Sequence, residues 1–357
     1  MDAIDVALVQ IENNSLSLVQ YEQFPVHDDL RNSVRQLSAT SNIDEISRLD
    51  CVLGQLFADS VLKLLKKARL DPREITAIGS HGQTVLHLPV ADPPRTLQIG
   101  DANIIAFKTG ITTVADFRRM DIAAGGQGAP LAPAFHAFQF SNDTRHRVVL
   151  NLGGMANITV LSKGSPNKVT GFDTGPGNAL LDDWAQQHLD QPFDMNGIWA
   201  ESGNVNEVLL KAMLEDTYFQ LSPPKSTGRD YFNLEWLNKL LELQHSSIPP
   251  ENIQATLLEL TVTTISEAIK KYAEKTDEIL VCGGGVHNPV LIKSLEGKLP
   301  GIKINSTGKY GFDPDCIEAV AFAWLAKCRL DETPVNLSSV TGAISPQILG
   351  AIYSAQK

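Results

Sequence analysis

The chain is short of the features that mark a disulfide-stapled, membrane-borne or metal-clipped protein. Its 357 residues include four cysteines, Cys51, Cys282, Cys316 and Cys328, and no Cys-x-x-Cys pair. Lone cysteines among apolar neighbours read as buried thiols in a reducing compartment, not as disulfides or zinc ligands. No apolar run reaches the length of a membrane span. Met1-Asp2-Ala3-Ile4-Asp5 has no basic segment ahead of an apolar one, so no signal peptide is expected, and the expected location is cytoplasmic. Basic residues are in deficit, 30 Lys and Arg against 41 Asp and Glu, for a net charge of −11. An acidic surface argues against nucleic acid or an anionic membrane as the main partner. It leaves room for a small anion held by a local Arg cluster. No solenoid-period repeat or low-complexity tract occurs. Two common phosphate-binding signatures are also missing. Gly308-Lys309 is followed by Tyr310 where a Walker A loop has Ser or Thr, and Gly283-Gly284-Gly285 has Asn288 where the dinucleotide fingerprint has its third glycine.

What is present is an ordinary globular composition, 43% hydrophobic and 20% charged. The length exceeds what one core usually organises, so two domains are expected. Residues 5–11 and 17–21 read as a strand hairpin. Apolar residues at three-and-four spacing predict a helix over 43–68, stopped by Asp71-Pro72. A short strand at 75–79, a helix at 102–109 and a strand at 112–116 come next. The pattern restarts near 147 with strands, then helices near 178–190, 203–216 and 251–274, a buried strand at 278–282 and a helix over 317–328. Strands alternating with helices give the α/β class.

Two glycine-rich turns carry the strongest chemical signal. Asn151-Leu152-Gly153-Gly154-Met155-Ala156-Asn157 joins two apolar strands. Paired glycines let a backbone approach a ligand closely, and successive N–H groups in such a turn form an anion-binding concavity. The second turn, Gly171-Phe172-Asp173-Thr174-Gly175-Pro176-Gly177-Asn178, adds a carboxylate at Asp173. A phosphate hairpin followed by a carboxylate loop suggests phosphoryl transfer to a hydroxyl. Either turn alone reads equally well as an ordinary β-turn.

Other stretches carry weaker signals. Gly283, Gly284 and Gly285, with Asn288, follow a strand and precede a helix at Pro289, which suits a flat ligand or a phosphate; a plain strand-to-helix turn reads the same way. Residues 116–130 combine Arg118 and Arg119 with the run Gly125-Gly126-Gln127-Gly128. Arginine grips carboxylates through two parallel N–H bonds, so this loop suits a carboxylate-bearing or polyhydroxylated ligand. Ser80-His81-Gly82-Gln83-Thr84 lies at a strand end, where His81 reads as a ligand contact or a structural histidine. Lys225-Ser226-Thr227-Gly228-Arg229-Asp230 reads as a loop closing over phosphate or as plain surface. Glu318 reads as a substrate contact or as a charge complementing a helix N-terminus.

These motifs together resemble the anhydro-N-acetylmuramic acid kinase family, of the sugar kinase and actin-like ATPase superfamily. The match runs through 80–84, 98–103, 116–136, 151–157, 171–178, 224–230, 283–288 and 318–326. The resemblance implies a two-lobed α/β fold with a nucleotide cleft between the lobes. Lobe I is expected over 1–135 with 337–357, and lobe II over 136–336. The implied reaction uses ATP and Mg2+. Water opens the 1,6-anhydro bond of the sugar while O6 takes the γ-phosphate, giving N-acetylmuramic acid 6-phosphate in peptidoglycan recycling. By resemblance, Asp173 is the base that activates water. Asn151, Gly153, Gly154, Asn157 and Gly175 belong to the phosphate side, and Gly283, Gly284, Gly285 and Asn288 face the nucleotide. His81, Gln83, Arg118, Gly126, Gln127, Gly128 and Glu318 fall to the sugar, with its lactyl carboxylate set against Arg118. A homodimer is also implied.

The sequence departs from the family at its start. The family pattern opens with a strand and a Gly-Thr-Ser phosphate turn; here Met1-Asp2-Ala3-Ile4-Asp5 aligns with the residues just after that turn. The first strand and most of that loop are therefore expected to be missing at the N-terminus: either the start codon lies further upstream, or a chain this short is expected to bind ATP weakly and to be less stable. Asp2 is the expected carboxylate on the Mg2+ side of ATP. Two other functions compete. A glycoside hydrolase with two carboxylates leaves three glycine turns unexplained. A non-catalytic sugar or nucleotide sensor is separated from the kinase by whether ADP forms.

Overall fold

The structure, a computed structural model, describes residues 3–12, 15–37, 41–165, 168–243 and 247–355. Its contacts divide the chain into two units, 1–135 with 316–357, and 136–315. The α/β expectation holds in both. The second boundary falls at 315/316, not at the expected 336/337. The reason is local: helix Ile317–Leu330 crosses the first unit so closely that a side chain on Gly79 would run into the Phe322 carbonyl.

In the first unit, β1 (Ala3–Glu12) and β2 (Ser15–Pro25) form an antiparallel hairpin. Helix Ile43–Ala68 comes next, as its spacing predicts; Asn42 caps it by accepting from the Asp44 N–H at 3.0 Å. Leu49, Leu53, Ala58, Leu64 and Leu65 make its buried stripe. Fully burying a leucine contributes about 1.5–3 kcal/mol, so a charge at Leu53 would break the packing. Cys51 is exposed, contrary to the expectation of buried thiols. It lies two residues from Leu49 and Leu53, on the other side of a 3.6-residue turn. The other three cysteines are buried, and none of the four is in a disulfide.

β3 is shorter than expected, only Ile78–Gly79. β4 (Gln83–Leu88) and β5 (Arg95–Ile99) form a second hairpin. β6 (Thr113–Ala115) takes β3 in parallel on one side and the closing strand Ala351–Tyr353 antiparallel on the other. A cavity of about 1060 Å³ is lined by β1, β3, His81, Glu318 and Phe322.

The second unit is built on a five-stranded sheet. β7 (Arg147–Leu152) and β8 (Met155–Leu161) form a hairpin across Gly153-Gly154, and β9 (Val169–Pro176) pairs antiparallel with β8. β10 (Glu278–Cys282) lies parallel to β7, and β11 (Lys303–Ser306) parallel to β10. The sheet order is β11-β10-β7-β8-β9. Val148, Leu150, Ile279 and Val281 are buried, as are Leu257, Leu260 and Ile265 of helix Pro250–Tyr272. At the start of the parallel strands, buried Glu278 accepts from Arg147 Nε at 3.0 Å and Tyr310 Oη at 2.8 Å. That network fixes the β7–β10 register, in which Arg147 faces Glu278.

Candidate active site

In the second unit the three glycine turns meet at the carboxyl ends of strands, where open α/β sheets bind ligands. β7 and β10 run parallel, and β9 runs with β7 because β8 reverses between them. The second stretch is a strand over most of its length, not a turn, because its backbone pairs with β8 as far as Pro176; only Gly177-Asn178 turns, and it is bonded to the first turn. Gly154 O accepts from the N–H groups of Gly177 and Ala179 at 2.9 and 3.0 Å, and Gly153 O accepts from Asn178 at 2.9 Å. A side chain on Gly177 would collide with the Gly153 carbonyl. Asn178 Nδ2 donates to Leu152 O at 3.0 Å, and Thr261 Oγ1 donates to the carbonyls of Pro176 and Gly177, each at 3.1 Å. The third turn packs on the same place. A carbon added to Gly283, at φ 81°, would lie 2.5 Å from Asn151 Oδ1, and one on Gly285 would lie 2.6 Å from Leu152 Cβ. Glycine is required at both by close approach. Gly284 faces open space.

Asp173 stands on β9 opposite Asn157 of β8. Its Oδ2 accepts from the Thr227 N–H at 2.9 Å, its own N–H donates to Lys225 O at 3.2 Å, and its carbonyl accepts from Tyr218 Oη at 2.7 Å. Burial pushes the Asp173 carboxyl up to about 6, against the pull of the Thr227 N–H and the Lys225 ammonium. A carboxylate with that value is mostly ionised at neutral pH and still able to take a proton. Lys225 and Thr227 belong to a loop whose sequence reads equally well as surface, so the residues holding Asp173 were missed. Asp216 and Tyr231 brace the adjoining segment through Tyr231 Oη, 2.9 Å from Asp216 Oδ1.

Two of the expected ligand residues also have structural parts. The Asn288 side chain caps helix Pro289–Lys298 by accepting from the Leu291 N–H at 3.1 Å, so its oxygen is already engaged. Gly175 sits against Phe219, whose ring would lie 2.8 Å from an added carbon, and not against open space. Asp2 lies outside the described residues.

The first unit brings His81, Arg118, Gly128 and Glu318 together. Arg118 donates from Nε and Nη2 to His81 Nε2, at 2.9 and 2.7 Å, and from Nη1 to Gly128 O at 2.7 Å. One hydrogen on each of Nη1 and Nη2 remains for a ligand. The paired Nε–Nη2 edge expected to grip a carboxylate is thus occupied by His81. His81 stacks on Phe322 with ring centroids 4.5 Å apart. Burial, with the Arg118 charge beside it, brings the His81 imidazole down to about 3. It is therefore neutral, its Nε2 accepts, and its proton is on Nδ1. Glu318 lies in the first turn of helix Ile317–Leu330 and lines the cavity. The surrounding protein pushes its carboxyl up, with Arg118 opposing and Asp5 adding to the rise. Gln83 Nε2 donates to Thr84 O at 3.1 Å.

The glycine run of this unit is fixed by two residues the sequence did not single out. Buried Asp121 accepts from the Gly128 N–H at Oδ2, 2.7 Å, and from Thr341 Oγ1 at Oδ1, 2.8 Å. The Gln127 N–H donates to Thr341 O at 2.9 Å. A side chain on Gly126 would collide with the Asp121 carboxylate.

Glycine turns converging at strand ends beside a carboxylate poised near neutrality are what a phosphate-handling α/β enzyme needs. The comparisons with known proteins make the class specific. The family model for anhydro-N-acetylmuramic acid kinase matches residues 1–355. The anhydro-N-acetylmuramic acid kinase of Photobacterium profundum is 49% identical over 99% of this chain and 96% of its own length. That of Pasteurella multocida is 48% identical over 100% and 95%. Among solved structures, the activator of a 2-hydroxyisocaproyl-CoA dehydratase from Clostridium difficile, with bound ADPNP, covers 92% of this chain and 97% of its own, at 12% identity and a TM-score of 0.45. The chain belongs to the anhydro-N-acetylmuramic acid kinase family.

Proposed function

We propose that this protein is an ATP-dependent kinase that opens 1,6-anhydro-N-acetylmuramic acid with water and phosphorylates O6, giving N-acetylmuramic acid 6-phosphate in peptidoglycan recycling. The observation that carries the reading is a whole-chain family match together with Asp173, the carboxylate of the second glycine-rich stretch, whose carboxyl burial pushes up to about 6. The family reading brings with it the two-lobed sugar kinase and actin-like ATPase architecture, a cytoplasmic location, a homodimer and no nucleic-acid partner. No helix among the described residues is long and apolar enough to cross a membrane. The sensor alternative gains nothing from these observations.

Each bond in the reaction has a counterpart. Asp173 takes a proton from water as the water oxygen bonds to the anomeric carbon. The bond from that carbon to O6 breaks, O6 bonds to the γ-phosphorus, and the bond to ADP breaks. General-base help of this kind is worth about a hundredfold to ten-thousandfold. Positioning and charge neutralisation do the rest. Asn151, Gly153 and Gly154 hold the phosphates, Gly283, Gly284 and Gly285 face the nucleotide, and Asn157 stands across from the base. Arg118, His81, Gln83, Gly126, Gln127, Gly128 and Glu318 take the sugar. Among the described residues no group of three or more His, Cys, Asp or Glu is arranged to hold a metal. These residues do not make a metal cage, so Mg2+ is assigned to the ATP phosphates, and no step is drawn through it.

The test is turnover of the anhydro sugar with ATP. ADP and ring-opened sugar phosphate should form in equal amounts and be lost together in Asp173→Asn. Ring opening that continues without ATP would move the protein to the hydrolases; ligand binding with no ADP would make it a sensor.

A further inference from the structure

Arg118 has its paired edge occupied, but a second arginine presents that edge free. Arg229 lies in the same loop as Lys225 and Thr227, and one of its nitrogens is fixed: Nη1 donates to Asp183 Oδ1 at 3.0 Å. Asp183 stands on helix Ala179–Leu189, whose first N–H is bonded to Gly154 O. The other two nitrogens face the glycine hairpin. A carbon placed on Gly154 would lie 3.4 Å from Arg229 Nε and 3.7 Å from Nη2. Among the described residues no protein acceptor meets either nitrogen. The Nε–Nη2 pair is the edge that matches two oxygens of a phosphate, which a lysine cannot reproduce. An exposed Arg–Asp pair contributes little to stability by itself, so folding alone does not account for the arrangement.

We propose that Arg229 is a phosphate-binding residue of this site. Its Nε–Nη2 edge and the Gly153-Gly154 turn grip the ATP phosphate chain from two sides, and Asp183 orients the guanidinium. The inference rests on the kinase reading and extends it. The loop that carries Arg229 also carries the Thr227 N–H that holds Asp173. One loop thus places a cation at the phosphates and holds the base.

The experiment is calorimetric titration of ATP, inorganic tripolyphosphate and the anhydro sugar into wild type, Arg229→Met and Arg229→Lys, with melting temperatures and steady-state kinetics alongside. The Arg229 side chain is 52% exposed, so neither variant disturbs a core. Arg229→Met should bind ATP and tripolyphosphate at least tenfold more weakly, with sugar affinity and melting temperature unchanged. Arg229→Lys should recover only part of the loss. Wild-type affinity for ATP and tripolyphosphate in Arg229→Met, with wild type turning over, overturns the inference and leaves the kinase standing. If wild type itself binds neither compound and forms no ADP, inference and kinase reading fall together.

Discussion

The Arg118 guanidinium rests on the Nε2 of His81, with Nε at 2.9 Å and Nη2 at 2.7 Å. The contact requires a neutral imidazole, and burial together with the Arg118 charge supplies one by bringing His81 down to about 3. His81 thereby fixes the Arg118 guanidinium. Phe322 supports the ring from below, and the missing side chain at Gly79 lets helix Ile317–Leu330 bring Phe322 there.

His81→Ala should raise the KM for the anhydro sugar and leave the KM for ATP unchanged. Hydrogen bonds to a charged group are worth about 1.5–3 kcal/mol, so the rise should be roughly tenfold to a hundredfold. His81→Gln, which keeps an acceptor, should recover part of it. An equal rise in both KM values would make His81 a purely structural residue.

The pH dependence is set by Asp173. Its folded value is raised to about 6, from an ordinary 3.8. Catalysis needs the ionised form, so kcat/KM for the sugar should fall on the acid side with a midpoint near pH 6. Stability has the opposite sign. A raised carboxyl favours the folded state most fully below the unfolded value, and that contribution is lost as pH rises through about 6. Asp173→Asn should therefore be inactive, yet melt higher than wild type at pH 8. Acid-side activity persisting to pH 4, or a variant that melts lower at pH 8, would contradict this account.

Thr341 ties the far end of the chain to the glycine loop at 125–128. Thr341→Val leaves Asp121 Oδ1 without its donor, an expected cost of about 1–3 kcal/mol. Burial already pushes the Asp121 carboxyl up, and Thr341 is the first of the groups that pull it back. The variant should melt lower and bind the sugar more weakly, while ATP affinity in calorimetry stays at the wild-type value. Unchanged sugar affinity would separate the Asp121 latch from the site.

The sequence made visible the features that depend on local pattern. Helix Ile43–Ala68 is set by apolar spacing and Asn42, and the β7–β8 hairpin by two apolar runs around Gly153-Gly154. Asp173 stood out because its glycine-rich stretch follows a phosphate-type hairpin and adds a carboxylate to it. The features that stayed hidden depend on partners distant in sequence. Arg118's edge is taken by His81, 37 residues away, and Asp121 is held by Thr341, 220 residues away. The structural parts of Gly175 and Asn288 were hidden as well: one packs against Phe219 and the other caps a helix. The boundary at 315/316 was missed because helix Ile317–Leu330 reads as a continuation of the unit before it, and only its fit on Gly79 assigns it to the first unit.

The central claim is that Asp173 directs water to the anomeric carbon while O6 leaves for phosphorus. Turnover in water enriched in oxygen-18, with the product analysed by mass spectrometry and phosphorus NMR, tests it most directly. The account predicts one labelled oxygen on the anomeric carbon, none in the phosphate group, and none incorporated by Asp173→Asn. Label in the phosphate, or none in the product, would mean that water attacks phosphorus or takes no part, and the assignment of Asp173 would fall.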